Sequence, residues 1–535
     1  MGKWKSMKRL ACALGAGALV VGAAFAADSP RVQLSVATGT AGPEISRHLF
    51  GQFAEHLGTG VYGGIWVGKD SKIPNTRGIR KDVVEALRAI KVPNIRWPGG
   101  CYADKYHWRD GIGPQSRRPK TLNPDWGGVI EPHSFGTHEF MDFVAQVGAE
   151  PYLSVNVGSG SVREMADWLE YMTSAKPSTL AQERVRNGAA QPFKLPLLGI
   201  GNEVWGCGGS MTAEEYAAEL KKYATFAFNF HPDQQAPGQK MRRIASGPNR
   251  DDYRFTEVVM KHVKEHAIYS WGIEGLSLHS YTGMEKWPPP HPATGFGIDE
   301  YMFILNATLD METFVTKHSA IMDRYDPEKK VALVVDEWGA WYSPTPGSNP
   351  AFLQQQNSQR DAILAALNIN IFARHADRVR IANIAQMINV LQAMILTSDT
   401  GMVLTPSYHA FKLYVPFQDA KRLELKHDGQ PFKLAGAELP RLDALAARGL
   451  DGKVWVSLTN VHPTESLRVE LKADANATAA RGETLAAPRV DSVNTFQQPA
   501  LVTPKPIQAR QDAACGCLVL DLAPASLTVV SLDAH

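Results

Sequence analysis

Glu203 and Glu337 each close a short apolar run that then meets glycine and tryptophan. Leu195-Pro196-Leu197-Leu198-Gly199-Ile200-Gly201-Asn202-Glu203 leads into Val204-Trp205-Gly206, and Val331-Ala332-Leu333-Val334-Val335-Asp336-Glu337 leads into Trp338-Gly339. Both runs are short for helices and read as buried parallel strands that deliver a polar side chain at their C-terminal ends. An ionisable group in such a place is costly unless it is paired or used. A single case would read as a salt bridge. Two of the same design point to a two-carboxylate site, in which carboxyls ~5 Å apart act as acid/base and nucleophile in glycoside hydrolysis with retention.

Such a site needs a frame that brings the two ends together. Strand candidates fall at 48–54, 92–97, 151–155, 195–201, 243–246, 275–279, 331–336 and 378–385, with helical patterns between them. Val83, Leu87 and Ile90 repeat at helical spacing, as do Phe140, Phe143, Val144 and Val147, with Thr137 placed to cap and Gly148 to terminate. Thr212 and Glu215 form a capping-box signature. Eight alternations fit a doubly wound sheet or a closed (β/α)8 TIM barrel, and polar residues at strand end after strand end favour the barrel, which builds its site there. Glu203 and Glu337 then sit on the fourth and seventh strands.

Downstream of Pro416 the pattern changes. Leu467-Arg468-Val469-Glu470-Leu471-Lys472 alternates with period two, and similar short runs follow between Gly, Pro and Asn. The chain thus divides into an expected signal peptide (1–27), an N-terminal strand segment (28–46) whose residues 31–36 alternate and are expected to join the sandwich, a catalytic barrel (47–417) and a jelly-roll-like β-sandwich (418–535).

The 535 residues are 44% hydrophobic and 21% charged with a net charge of +2, an ordinary globular balance that gives no reason to seek nucleic acid. Lys3, Lys5, Lys8 and Arg9 precede an apolar stretch ending in Ala24-Phe25-Ala26, the pattern of a cleaved export signal, with no stable membrane insertion after cleavage. The expected location is periplasmic or secreted. Of five cysteines, Cys12 leaves with the signal. Cys101 and Cys207 each follow a strand end, which allows proximity, and spacing does not decide between a bond and two thiols. Cys515 and Cys517 read as strand residues.

With these residues in view, the chain resembles glycoside hydrolase family 51, the retaining α-L-arabinofuranosidases. The resemblance rests on Gly201-Asn202-Glu203, Asp336-Glu337-Trp338, Phe53-Ala54-Glu55-His56, Arg96-Trp97-Pro98-Gly99-Gly100-Cys101, Gly136-Thr137-His138-Glu139 and Ala385-Gln386-Met387-Ile388-Asn389. It spans the barrel and is weak over the sandwich. It implies Glu203 as acid/base, Glu337 as nucleophile and Arg96 as support for the nucleophile. It further implies substrate-binding roles for Glu55, Cys101, Asn202, His279, Tyr281 and Gln386, and a hexameric homo-oligomer. Cys101 stands where many relatives carry Asn, and a thiol is a poorer hydrogen-bond partner.

The implied activity is exo-acting release of terminal arabinofuranose from arabinan- or arabinoxylan-type oligo- or polysaccharides, a step in hemicellulose degradation that needs no cofactor and no metal. The alternatives are β-xylosidase or endoglucanase specificity on the same machinery, or a non-catalytic carbohydrate-binding protein. Of Trp66, Trp97, Trp108, Trp205, Trp338 and Trp341, one or two are expected to stack on sugar and the rest to be core, and the proline-rich run at 287–292 is a candidate to shape the leaving-group side. Other constellations fail: His138-Glu139 lacks the second histidine of a zinc helix, Gly158-Ser159-Gly160 lacks the rest of a dinucleotide fingerprint, and Cys207 has no base beside it.

Overall fold

The computed structural model describes residues 30–266, 271–474 and 477–534, so the expected signal segment, with Cys12, lies outside the described residues. The first strand, β1 (Arg31–Ile45), belongs to a C-terminal sheet and is taken up below. The next eight are β2 (Gly51–Phe53), β3 (Asn94–Trp97), β4 (Glu150–Val155), β5 (Leu197–Ile200), β6 (Arg242–Ala245), β7 (Gly275–Thr282), β8 (Ala332–Ala340) and β9 (Val379–Ile384). They pair in parallel, each with its neighbours in sequence, and β9 returns to β2 to close the barrel. All eight coincide with the strand candidates, because a strand walled by helices outside and side chains inside is mostly apolar on both faces.

Helices α1 (Lys81–Ala89), α2 (Thr137–Val147), α3 (Val162–Thr173), α4 (Ala213–Phe226), α5 (Tyr253–His266), α6 (Asp310–Tyr325), α7 (Gln359–Arg374) and α8 (Pro406–Leu413) follow successive strands. The cap of α2 sits one residue before the expected Thr137: Gly136 is the N-cap, and its N–H donates to Glu139 at 3.0 Å. On β3, Trp97 turns outward and stacks on Phe140 of α2 at 4.7 Å, while Arg96 turns into the barrel. Tyr152, Leu197, Ile244, Ala332, Val334 and Ile381 fill the interior beneath the site.

The register of β7 against β8 slips once. Ser277 pairs with Val334, but His279 pairs with Glu337, so β8 carries one more residue than β7 in that interval. A bulge of this kind abandons strict alternation. It brings the side chains of two consecutive residues, Asp336 and Glu337, both into contact with His279.

The C-terminal strands are β10 (Ala420–His427), β11 (Leu442–Arg448), β12 (Val454–Asn460), β13 (Leu467–Ala473), β14 (Ala477–Leu485), β15 (Lys505–Gln508), β16 (Arg510–Asp512), β17 (Cys517–Leu522) and β18 (Ser526–Ala534). Their order is β15-β14-β18-β12-β11-β10-β1-β13-β17-β16, with β1 antiparallel to β10 and parallel to β13. The sheet folds over one core that includes Val32, Leu34, Leu458, Leu471, Leu520 and Val530. Consecutive strands β15 and β16 pair with opposite ends of the sheet, β14 and β17, so a single run of chain spans both edges. Both edges therefore end in short, polar strands, poor templates for intermolecular pairing. Of the two cysteines expected to be strand residues, Cys517 opens β17 but Cys515 lies in the β16–β17 turn, and the two are bonded to each other.

Helix α7 ties the two parts together. It is buried on all sides, and Gln359 donates to the carbonyls of Leu485 and Ala525, while Arg374 pairs with Asp443 at 3.0 Å.

Candidate active site

The C-terminal ends of the barrel strands gather every site residue expected from the sequence. After β5, Gly201 takes a left-handed φ of 85°, and Glu203 itself has a φ of 39°, a conformation costly for a side-chain-bearing residue. The turn holds because Gly206 and Gly208 donate to the Glu203 carbonyl at 2.7 and 3.1 Å. A Cβ on Gly208 would lie 1.8 Å from the Asn202 carbonyl, so glycine is required there. The Cys101–Cys207 disulfide then ties this loop to the one after β3.

Glu203 and Glu337 face each other, with a carboxylate oxygen of each, together with a ring nitrogen of His279, all within 4.8 Å of one another. Glu337 accepts from Arg96 Nη1 at 2.7 Å and from Tyr281 Oη at 2.7 Å. Arg96 also donates through Nη2 to Asn202 Oδ1, which orients the amide. His279 contacts Glu203 through Nδ1 at 3.0 Å and Asp336 through Nε2 at 3.1 Å.

This cluster is almost wholly buried, so its charges act through little screening. Burial raises the pKa of Glu203 and the negative charge of Glu337 adds to this, with the hydrogen bond to His279 opposing. For His279 burial favours the neutral ring, but Glu337, Asp336 and Glu203 outweigh it and lift its pKa to about 10. Asp336 is held below the usual carboxylate range: burial would raise it, and Arg96, His279 and Tyr152 more than compensate. At neutral pH the arrangement is therefore a protonatable Glu203, set between a buried cation and the Arg96-bound Glu337.

Glu55, after β2, lies on the far side of the mouth. Its Oε1 accepts from Tyr102 N–H and from Trp126 Nε1, both at 2.9 Å, and Oε2 accepts from Gln386 Nε2 at 3.1 Å. Burial lifts its pKa to about 8 against those three donors. A Cβ on Gly100 would lie 2.6 Å from Glu55 Oε2, which explains the glycine pair beneath it. Gln386 Oε1 is buried with no hydrogen-bond partner among the described residues, free for a ligand hydroxyl.

One expected site residue needs correction. Cys101 has no thiol to offer, because it is bonded to Cys207, and the bond is a second reason against Cys207 as a nucleophile. Trp66, Trp97, Trp108 and Trp338 are at most 6% exposed and pack in the core, leaving Trp205 and Trp341 of the six candidates near the opening. Trp341 meets Tyr281 edge to face at 5.0 Å, and the exposed Trp287 meets Trp341 at 6.0 Å, so aromatics run from the nucleophile's neighbour outward. Sequence reading also missed Trp126, Tyr152 and the contacts of Asp336. Trp126 lies in Pro124-Asp125-Trp126-Gly127-Gly128, a turn signal between two short strands that could have marked a hairpin over the mouth.

Comparison with known proteins agrees with this geometry. Residues 86–274 match the family described as alpha-L-arabinofuranosidase 1 domain, and residues 336–526 the alpha-L-arabinofuranosidase C-terminal domain. The chain is 45% identical over 466 residues to a Bacteroides ovatus protein named intracellular exo-alpha-L-arabinofuranosidase, covering 87% of this chain and 88% of the relative. Among solved structures, the GH51 arabinofuranosidase of Xanthomonas axonopodis pv. citri superposes with a TM-score of 0.90 at 48% identity, over 94% of this chain and all of that one. The alpha-L-arabinofuranosidase of Thermotoga maritima, solved as an arabinose complex, gives 0.81 at 30% identity, over 94% and 99%.

Proposed function

The chain belongs to the α-L-arabinofuranosidases of glycoside hydrolase family 51, and from that premise we infer how its own residues divide the work. The activity is exo-acting hydrolysis of terminal α-L-arabinofuranosides with retention of configuration, which requires two displacements at the anomeric carbon. In our reading Glu337, oriented by its hydrogen bonds from Arg96 and Tyr281, attacks that carbon while Glu203 gives its proton to the leaving oxygen. The C–O bond to the leaving group breaks as the Glu337–sugar ester forms. Attack removes the Glu337 charge that raised the Glu203 pKa, so Glu203 is then poised to take a proton from water. That water cleaves the ester and releases arabinose.

The observation that carries this reading is that the two carboxylates face each other, an oxygen of each within 4.8 Å and both against His279 Nδ1, which supports the closer spacing of a retaining pair. In the same reading Asn202, which Arg96 fixes, binds the sugar hydroxyl beside the anomeric carbon, and Glu55 with Gln386 receives hydroxyls across the ring. Trp287 and Trp341 are placed to flank the leaving group. Replacing Glu337 by Ala tests the assignment: hydrolysis of an aryl arabinofuranoside should be abolished, and near-normal turnover would falsify it.

Residues 1–27 are further proposed to direct export. The name of the Bacteroides ovatus relative points the other way for that protein. In this chain the basic and apolar pattern is supported by two disulfides, which persist in oxidising compartments. Sequencing the N-terminus of the protein recovered outside the cytoplasm should find it beginning near residue 27 or 28. An intact Met1, or enzyme confined to the cytoplasm, overturns the reading.

A further inference from the structure

Beneath the two carboxylates lies a hydrogen-bonded chain that the roles above leave unused. Tyr152 Oη, on β4 inside the barrel, donates to Asp336 Oδ2 at 2.6 Å. Asp336 Oδ1 accepts from His279 Nε2 at 3.1 Å, and His279 Nδ1 lies 3.0 Å from Glu203 Oε1. We propose that Asp336 and Tyr152 are positioning residues for the reaction, holding His279 with its Nδ1–H aimed at the acid/base Glu203. This rests on the reading of Glu203 as acid/base.

The geometry leaves the ring little freedom. Asp336 is an acceptor at Oδ1, so Nε2 must carry a proton, and the second proton on Nδ1 faces Glu203 at 3.0 Å and Glu337 at 3.7 Å. Asp336 is itself fixed twice, by the Tyr152 hydroxyl and by Arg96 Nε at 3.5 Å from Oδ2. The ionisable groups facing His279 are thus Glu203, Asp336 and Glu337, with Arg96 and Tyr281 bound to the last of these. Three acidic neighbours favour an imidazolium, in line with the raised pKa of the ring. The bulge in β8 makes this possible, since strict alternation would turn Asp336 away from the barrel interior that Glu337 faces.

A fixed cation beside Glu203 stabilises its ionised form, making the protonated acid readier to release its proton. Without the Asp336 anion, the ring is free to become neutral. Glu203 then keeps its proton to higher pH and yields it less readily.

The test is Asp336→Asn, with Tyr152→Phe as a gentler change that keeps the charge balance, and Glu203→Ala alongside. Rates are measured against pH on an aryl arabinofuranoside with a 4-nitrophenyl leaving group and on an alkyl arabinofuranoside that needs protonation. Asp336→Asn should lose at least ~10-fold more kcat/KM on the alkyl than on the nitrophenyl substrate, within the usual range for general acid catalysis. Its alkaline limb should move up, and Tyr152→Phe should shift both readouts the same way by less. Equal losses on the two substrates with an unmoved pH profile would mean a merely structural role and overturn the proposal. If Asp336→Asn does not fold, Tyr152→Phe decides alone on the same two readouts. If Glu203→Ala shows no preferential loss on the alkyl substrate, the acid/base reading itself fails. If it does and neither other variant does, only the positioning role falls.

Discussion

Glu203 and Glu337 were legible in the sequence because a carboxylate at the end of an apolar run has no cheap structural excuse, and two such ends repeated the signal. Asp336 was not, although it adjoins Glu337. Period-two alternation sends neighbours to opposite faces, and nothing in Val334-Val335-Asp336-Glu337 announces that β8 gains a residue there. Cys101 was legible as a site position but not in its chemistry, since a pairing partner is a matter of space and not of spacing. For Glu203 the consequence is measurable. Replacing it by Ala should cost ~10²- to 10⁴-fold on substrates with poor leaving groups and far less on 4-nitrophenyl arabinofuranoside, which departs without a proton. The pH dependence has a definite sign as well. Activity needs Glu203 protonated, and its raised pKa carries activity to higher pH than an ordinary glutamate would allow before the alkaline limb falls. An alkaline limb near the ordinary glutamate value, ~4.3, would contradict the burial described here.

At the scale of elements, the eight barrel strands stood out because both of their faces are buried. Loops were less readable, and they do the positioning. The turn after β5 combines a strained Glu203, a glycine that no other residue can replace and a disulfide to the loop after β3. The bond closes a separation of 106 residues, and such cross-links typically contribute ~2–4 kcal/mol by restricting the unfolded chain. Reducing it, or replacing Cys207 by Ser, should lower thermal stability and also cut kcat by up to ~100-fold, as an ångström-scale displacement of Glu203 can. Parallel melting and rate measurements at graded dithiothreitol check this. Stability lost with kcat intact would show that the loop holds its shape without the bond.

For the molecule as a whole, the change from barrel to sheet near residue 417 could be read from the switch in periodicity, whereas the run from β15 to β16 that spans both sheet edges could not. Those strands are short and polar, and only their partners define them. Strand β1 buries Val32, Leu34 and Val36 in the C-terminal core, worth ~1.5–3 kcal/mol for each aliphatic side chain. Deleting residues 30–46 should therefore lower the melting temperature steeply and reduce soluble yield, read by calorimetry and by the supernatant fraction. A deletion that melts like the parent would mean the sheet reseals without it. The placement of β1 also sets a timetable. Gln33 bonds Asp428, 395 positions later, so the earliest part of the sheet to leave the ribosome must wait for nearly the whole of translation before its neighbours exist. Contacts so distant along the chain slow assembly. A protein that finishes itself only when its tail arrives keeps its first strand unpartnered until its last hundred or so residues are being made.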